Sequence, residues 1–213
     1  MRPPSKTALF DAAKAWDAAA VKAIPTAAPN LVTASDPKGR MALHIACCQN
    51  PSSGKHGEPN GIKTVTTLLD AGAALETAVP MDEDEEDFRA TPLWYAVSRG
   101  RNLPLVRFLL KRGADASYSL WSVVFQDDDV TCRELLKTNP RLDLKAHGET
   151  PIFCAAWLQR LKTLDLLIKA GADPSIRDRR GRDAVDIARS RRLPKELIGR
   201  LESARARKAS HPR

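Results

Sequence analysis

The segment 91–113 reads TPLWYAVSRGRNLPLVRFLLKRG, and a closely similar segment, TPIFCAAWLQRLKTLDLLIKAG, returns at 150–171. A unit of about 33 residues that recurs in this way indicates a repeat architecture, in which one supersecondary unit is stacked several times. Such stacks bury a shared core between neighbouring units and present extended surfaces to their partners. This repeat constrains both the fold and the function of the chain.

Further copies of the same helix start, a small residue followed by an apolar stripe, begin near positions 7, 41, 91, 118, 150 and 183. The spacings between them are 34, 50, 27, 32 and 33 residues. The longest spacing contains two insertions, at 50–61 and 78–89, which are rich in turn-forming and acidic residues respectively. We expect both insertions to be surface loops.

Each unit also carries local signals for the ends of its helices. Gly72, Gly113 and Gly171 follow apolar helical stripes, and a glycine there can adopt the left-handed conformation that ends a helix. Thr-Pro pairs at 91–92 and 150–151 mark the opposite end, because threonine caps a helix and proline suits its first position. The pattern predicts two helices per unit.

These features resemble the ankyrin repeat, whose motif is T-P-L-H-x-A. The unit that begins at Met41 keeps Leu43, His44 and Ala46 of that motif. Elsewhere the motif histidine is replaced by an aromatic residue or by aspartate, at Phe10, Trp94, Trp121, Phe153 and Asp186. The resemblance implies an all-α fold, an ankyrin-type solenoid of about five helix-turn-helix repeats plus a C-terminal capping unit, forming a single domain over 1–203.

Positive charge is concentrated at the C-terminal end of the chain. Residues 177–213 contain 13 Lys or Arg and 5 Asp or Glu. A charged terminal unit is expected in a repeat stack because its outer face meets solvent, and we expect 204–213 to be a basic, flexible tail. The alternative is electrostatic binding of nucleic acid or another anionic surface, which the interspersed acids and the lack of interleaved aromatic residues make less favoured.

The second insertion contains six consecutive acidic residues, Asp82, Glu83, Asp84, Glu85, Glu86 and Asp87. Six like charges repel one another, so a solvated, flexible finger is the first interpretation. The alternative is a finger that meets a basic surface on a partner. The spacing does not fit an EF-hand loop, which needs glycine at its sixth position and glutamate at its twelfth.

Catalytic and metal-binding motifs are absent from the sequence. It contains no phosphate-binding glycine loop, no H-E-x-x-H and no G-x-S-x-G, so we expect neither an enzyme nor a bound cofactor or metal. Cys47, Cys48, Cys132 and Cys154 fall in helical stretches without a C-x-x-C pair, and we expect them to be buried or half-buried reduced thiols. No apolar run suggests a membrane span or a secretory signal. We expect a cytoplasmic protein and, separately, a monomer.

The resemblance also implies where a partner binds. In ankyrin repeats the first helix of each unit and the fingers between units line a concave face. The matching positions here lie just after the helix-start motif and in the fingers, and they are Arg99, Phe125, Gln126, Trp157, Leu158, Arg191, His147 and Glu149. The resemblance therefore implies a non-enzymatic protein–protein interaction module or scaffold whose partner is another protein; a regulatory subunit of an enzyme is the remaining alternative.

The four tryptophans have different expected roles. Trp94 and Trp121 occupy a motif position that packs between units, so we expect them in the core. Trp157 is either an exposed binding residue or an indole that folds back over the neighbouring unit. Trp16 lies at the turn between the two helices of the first unit, and the sequence leaves both roles open for it.

Overall fold

The computed structural model describes residues 3–53, 58–80 and 89–210. Its α-helices, numbered in chain order, form pairs. The first helices of the pairs are α1 (Lys6–Lys14), α3 (Ala42–Cys47), α5 (Pro92–Tyr95), α7 (Leu120–Gln126), α9 (Pro151–Trp157) and α11 (Ala184–Ser190). The second helices are α2 (Ala18–Ala27), α4 (Glu58–Asp70), α6 (Leu103–Lys111), α8 (Asp129–Leu136), α10 (Leu161–Lys169) and α12 (Lys195–Ser210). The first helices begin within about two residues of the repeat starts expected from the sequence, the usual uncertainty of a helix end.

Short elements complete the described chain. Turns of 3₁₀-helix cover Pro29–Thr33, Pro51–Ser53 and Ser117–Ser119. Strand β1 (Val79–Pro80) pairs antiparallel with β2 (Arg89–Ala90), with Val79 opposite Ala90. The fold is otherwise helical over the residues described, as the resemblance implied.

The Thr-Pro pairs begin helices in the way the sequence indicates. The hydroxyl of Thr91 accepts a hydrogen bond from the Trp94 amide at 3.2 Å, and that of Thr150 accepts one from the Phe153 amide at 3.4 Å. Both threonines are buried, so an uncapped amide there would have no water to replace the lost bond. Proline follows each threonine at the first helical position, where no amide hydrogen is needed.

The motif histidine caps its helix through its side chain. Nδ1 of His44 accepts a hydrogen bond from the Met41 amide at 3.0 Å, and Nε2 lies 2.8 Å from the Thr77 carbonyl oxygen. In the last repeat Asp186 makes the equivalent contact, accepting from the Asp183 amide at 3.1 Å. Histidine and aspartate therefore have the same role at this motif position, since the side chain of each accepts a hydrogen bond from the backbone amide at the start of the helix.

Left-handed residues end the second helices. Gly113 has φ +92°, and the Ala114 amide that follows donates to the Leu109 carbonyl at 3.1 Å. An alanine at position 113 would be strained in this conformation. After α8, where the sequence lacks the glycine, Asn139 takes the left-handed conformation with φ 59°, which asparagine tolerates better than most residues.

The described residues divide into two compact units, with the division between Asp115 and Ala116. In the first unit the core is formed by side chains from the facing helices, among them Leu9, Leu43, Leu68, Leu93 and Leu105. In the second unit it is formed by Leu120, Leu135, Ile152, Leu164 and Leu167. All ten are fully buried, and each contributes roughly 1.5–3 kcal/mol relative to an exposed side chain.

Trp16 belongs to the core, which resolves the alternative that the sequence left open. It is 3% exposed, and its indole Nε1 donates to the Ala46 carbonyl oxygen in the next repeat at 2.9 Å. Its ring lies against Gly61, where an added Cβ would come within 2.8 Å of it. Trp94 and Trp121 are also buried, at 5% and 2% exposed, as predicted.

Two predicted loops are partly helical. The tail expected to be flexible from residue 204 continues α12 as far as Ser210, because Ala204 is buried and Arg205 is fixed by Asp183 at 3.0 Å. The insertion at 50–61 contains the 3₁₀ turn Pro51–Ser53 and the first turn of α4. The acidic finger, residues 82–87, lies outside the described residues.

Candidate functional site

In each repeat of the second unit, the turn between the two helices contains a non-glycine residue in the left-handed conformation. In the second unit these residues are Asp127, Gln159 and Arg192, with φ 50°, 56° and 57°. The residue two positions earlier lies in the last turn of the first helix. We call this position the turn-end position. In the second unit it is occupied by Phe125, Trp157 and Ser190.

Phe125 is the large apolar side chain that this geometry leaves exposed. It lies in the last turn of α7 and is 55% exposed, whereas Trp121, one turn earlier on the same helix, is 2% exposed. The next residue, Gln126, is half-buried. An aromatic ring held in water on an ordered helix is the kind of feature that marks interaction surfaces when other apolar groups lie nearby.

Trp157 occupies the same position at the end of α9 and is half-buried. The guanidinium carbon of Arg191, from the following repeat, lies 3.8 Å from the centroid of its ring. That of Arg182 lies 5.3 Å from the same centroid and 5.9 Å from that of Phe153. Both arginines are within the range of cation–π attraction, so the indole does contact the neighbouring repeat while part of it remains accessible.

Arg182 is oriented by Asp178 in the preceding turn. Its Nε and Nη2 donate to Oδ2 of Asp178 at 3.0 and 2.7 Å, and its amide donates to Oδ1 at 2.8 Å. Burial opposes the charge of Asp178, but the hydrogen bonds from Arg182 and from the backbone hold its pKa below the ordinary value. The charge of Arg182 is therefore compensated within its own repeat.

Among the described residues, Arg191 has no such compensation. Among residues 3–53, 58–80 and 89–210, no carboxylate forms a salt bridge with it. The neighbouring arginines are paired, Arg189 with Glu202 at 2.7 Å and Arg205 with Asp183 at 3.0 Å. Within the described part of the chain, Arg191 is thus a cation without a paired carboxylate that lies over the ring of Trp157. Leu158, which follows Trp157, is half-buried as the C-cap of α9.

The two finger residues in the predicted set lie in a tight turn. Ala146 and Glu149 form an isolated antiparallel bridge, and His147 between them is exposed with φ 57°. Burial raises the pKa of Glu149, although a hydrogen bond with the Cys154 thiol partly offsets this. The charge of Arg182 also lowers the pKa of Glu149. The Glu149 carboxylate therefore lies in the same charged cluster as Arg182.

Arg99 belongs to the first unit, where α5 passes into a π-helical segment, Ala96–Gly100. The π turn accommodates one more residue than the matching stretch of α9 does, and the left-handed residue that follows it is Arg101, with φ 46°. Arg99 is exposed at the resulting turn-end position. Gly100 lies against the preceding repeat, where an added Cβ would come within 2.5 Å of the Cys47 carbonyl oxygen.

Sequence reasoning missed Arg182 as a neighbour of Trp157. The relevant signal was the Asp178-x-x-x-Arg182 spacing, in which the aspartate caps a turn and orients the arginine. It also did not anticipate the left-handed residues between the helices, because arginine, glutamine and tryptophan are not typical there.

The cysteines do not form a reactive site. All four are free; Cys47, Cys132 and Cys154 are buried, and Cys48 is half-buried. Burial raises the pKa of Cys132 and of Cys154 to about 12 and also raises that of Cys48. A thiol in such surroundings holds its proton and is a poor nucleophile. In the described part of the chain, no three His, Cys, Asp or Glu side chains are grouped to hold a metal ion.

A cleft of about 670 Å³ lies elsewhere in the second unit, between the turn after α8 and the end of α12. Charged side chains of both signs line it, among them Arg141, Asp143, Asp173 and Lys208. Its lining contains no histidine or cysteine. Over the described residues, every helix is too short or too polar to cross a bilayer.

Comparison with known proteins identifies the repeats. Residues 93–178 match the family model of ankyrin repeats, with three copies. No curated protein is significantly similar to the chain.

Solved structures extend the likeness to nearly the whole chain. An ankyrin repeat domain from Acinetobacter baumannii AYE has a TM-score of 0.69 and 24% identity, covering 94% of this chain and 98% of that one. The ankyrin repeat protein EF0377 has a TM-score of 0.63 and 22% identity, covering 95% and 98%. A chain in the complex of a predatory endopeptidase from Bdellovibrio bacteriovorus with an immunity protein has a TM-score of 0.62 and 25% identity, covering 92% and 97%.

Proposed function

Because residues 93–178 match the family model of ankyrin repeats and ankyrin repeat domains share the fold of nearly the whole chain, we propose that this protein is a non-enzymatic interaction module that binds a partner protein through the turn-end positions of its first helices. Ankyrin repeats are generally protein–protein interaction modules, and the fold is typically non-enzymatic. The likeness to a chain in a complex between an endopeptidase and an immunity protein fits partner binding.

The observation that carries this proposal is the exposure of Phe125. Trp121 and Val124, which precede it on α7, are buried, whereas Phe125 is exposed. The ring of Phe125 therefore does not contribute to the core. Aromatic residues and arginines dominate the binding energy of many interfaces, and each can contribute about 2 kcal/mol or more once water is excluded. Phe125 and Trp157 occupy the same position on helices that contact each other, α7 and α9. Two equivalent aromatic residues on neighbouring helices form the centre of the proposed surface.

Gln126, Leu158, His147 and Glu149 would lie around this centre, where polar and half-buried side chains typically exclude water from the hot spot. Arg191 would extend the surface to the last repeat. Arg99 would be the corresponding contact in the first unit. We expect the protein to act as a monomer in the cytoplasm.

The test is capture of partner proteins from the native cell, compared quantitatively between the wild-type chain and variants. Phe125→Ala and Trp157→Ala should each weaken retention of the same partner by about 1 kcal/mol or more. Val130→Ala is the matched control, because Val130 is 52% exposed but lies on the second helix α8. Equal retention by all three variants would contradict the proposal.

A further inference from the structure

The last two repeats contain an arginine that lies over a tryptophan ring and has no paired carboxylate within the described residues. Arg191 lies 3.8 Å above the centroid of Trp157 and forms no salt bridge among the described residues. The indole contacts the guanidinium at its central carbon, whereas the N–H donors of a guanidinium point outward from its edge, in the plane of the group. Stacking also restricts a side chain that is otherwise flexible, so less conformational entropy is lost when it binds.

We propose that this Arg191–Trp157 pair receives a carboxylate of an acidic segment on the partner protein, an inference that rests on the proposed function and specifies the partner's chemistry. A guanidinium matches the geometry of a carboxylate with two parallel N–H donors. The positive charge of Arg191 is available to a partner's carboxylate because no described carboxylate pairs with it. The nearby acids Asp178 and Glu202 pair instead with Arg182 and Arg189. Arg192, which follows it, is exposed and adds to the local positive potential.

Two features favour an acidic protein segment over nucleic acid. Proteins that bind single strands stack bases on open aromatic faces, but a face of Trp157 is already covered by Arg191. Acidic groups also lie close by, because Glu149 and Asp178 border Arg182. A continuous phosphate backbone would meet these carboxylates, whereas a peptide can place its acidic residues only where arginines face them.

The test measures fluorescence anisotropy of a labelled oligoglutamate peptide, and of a single-stranded oligothymidine of equal charge, on the full chain. The peptide should bind the wild type with salt-sensitive affinity. Arg191→Gln should weaken binding about tenfold, the scale of one lost charge-assisted hydrogen bond. Arg207→Gln, which removes the same charge from an exposed position on α12, should change it less than about twofold, because exposed charges contribute little.

Three results would overturn the inference. These are no binding of the peptide to the wild type, equal effects of Arg191→Gln and Arg207→Gln, and tighter binding of oligothymidine that depends on Arg191. Thermal unfolding of each variant confirms that it is folded. Partner capture separates the two proposals: if Phe125→Ala loses the partner while Arg191→Gln retains it fully, the proposed function stands and the carboxylate site is refuted.

Discussion

The guanidinium of Arg191 stacks on the indole of Trp157, with 3.8 Å between the guanidinium carbon and the ring centroid. The contact joins the end of α9 to the end of α11, two first helices of neighbouring repeats. Stability in repeat proteins comes largely from such nearest-neighbour interfaces. One contact therefore links the stability of the last two repeats to the proposed binding surface.

A double-mutant cycle measures this contact. Trp157→Ala and Arg191→Gln should be coupled by about 0.5–1 kcal/mol in the free energy of unfolding, the usual strength of a partly exposed cation–π pair. Chemical denaturation of the four proteins provides the measurement. Strictly additive effects would show that the stacking adds no stability of its own.

Gly100 should be intolerant of a side chain. An added Cβ would lie 2.5 Å from the Cys47 carbonyl oxygen and 3.1 Å from that of Gln49, so Gly100→Ala should destabilise the protein by about 1–3 kcal/mol. Gly199→Ala is the control, and it should change the stability of the protein in the opposite direction. Gly199 lies inside α12 with no atom within 4 Å of an added Cβ, and alanine there should stabilise by roughly 0.5–1 kcal/mol. Melting temperatures that move together would contradict the close approach.

His44 should make stability dependent on pH. Burial lowers the pKa of the ring below its ordinary value of 6.5, so the unfolded chain takes up a proton before the folded one does. The contribution of the neutral ring is complete above about pH 6.5 and is lost as the pH falls below it. The neutral ring is needed because Nδ1 accepts from the Met41 amide.

The measurement compares unfolding free energies at about pH 7.5 and pH 5.5, on either side of the ordinary imidazole pKa. The wild type should lose more stability on acidification than His44→Gln does, because the variant has no ring to protonate. An identical loss in both proteins would assign the pH dependence to other groups.

The ion pair between Arg205 and Asp183 should stabilise the last repeat. Asp183 is 1% exposed and accepts from the Val185 and Asp186 amides at 2.9 Å as well as from Arg205 at 3.0 Å. Arg205→Met should cost about 1–3 kcal/mol, because a buried carboxylate loses a charged donor. Arg207→Met, on the exposed side of α12, should stay within about 0.5 kcal/mol of the wild type. Equal melting temperatures of the two variants would mean that the ion pair between Arg205 and Asp183 does not stabilise the repeat.

Features set by neighbouring residues could be predicted from the sequence. Thr91 and Thr150 cap their helices, and Gly113 ends α6, because each acts on amides or carbonyls a few residues away. The burial of Trp94 and Trp121 could also be predicted, because both occupy the repeat-motif position that packs between units.

Contacts between repeats could not be predicted in this way. The hydrogen bond from Trp16 to the Ala46 carbonyl joins residues 30 apart in sequence, and Arg191 reaches Trp157 from the next repeat. Their geometry depends on how one repeat sits on another, which a motif does not encode. The helical start of the predicted tail depends likewise on Asp183, since that buried carboxylate gives Arg205 a partner.

The central claim is that a partner protein contacts the turn-end positions of the first helices. Site-specific photo-cross-linking tests it most directly, with a photoreactive phenylalanine analogue placed in turn at positions 125, 157 and 130 of the full chain in its native cell. Cross-links from 125 and 157 to one and the same protein, with position 130 silent, are the predicted result. Cross-links to that protein from 130 alone, or none from 125 and 157, would contradict the claim.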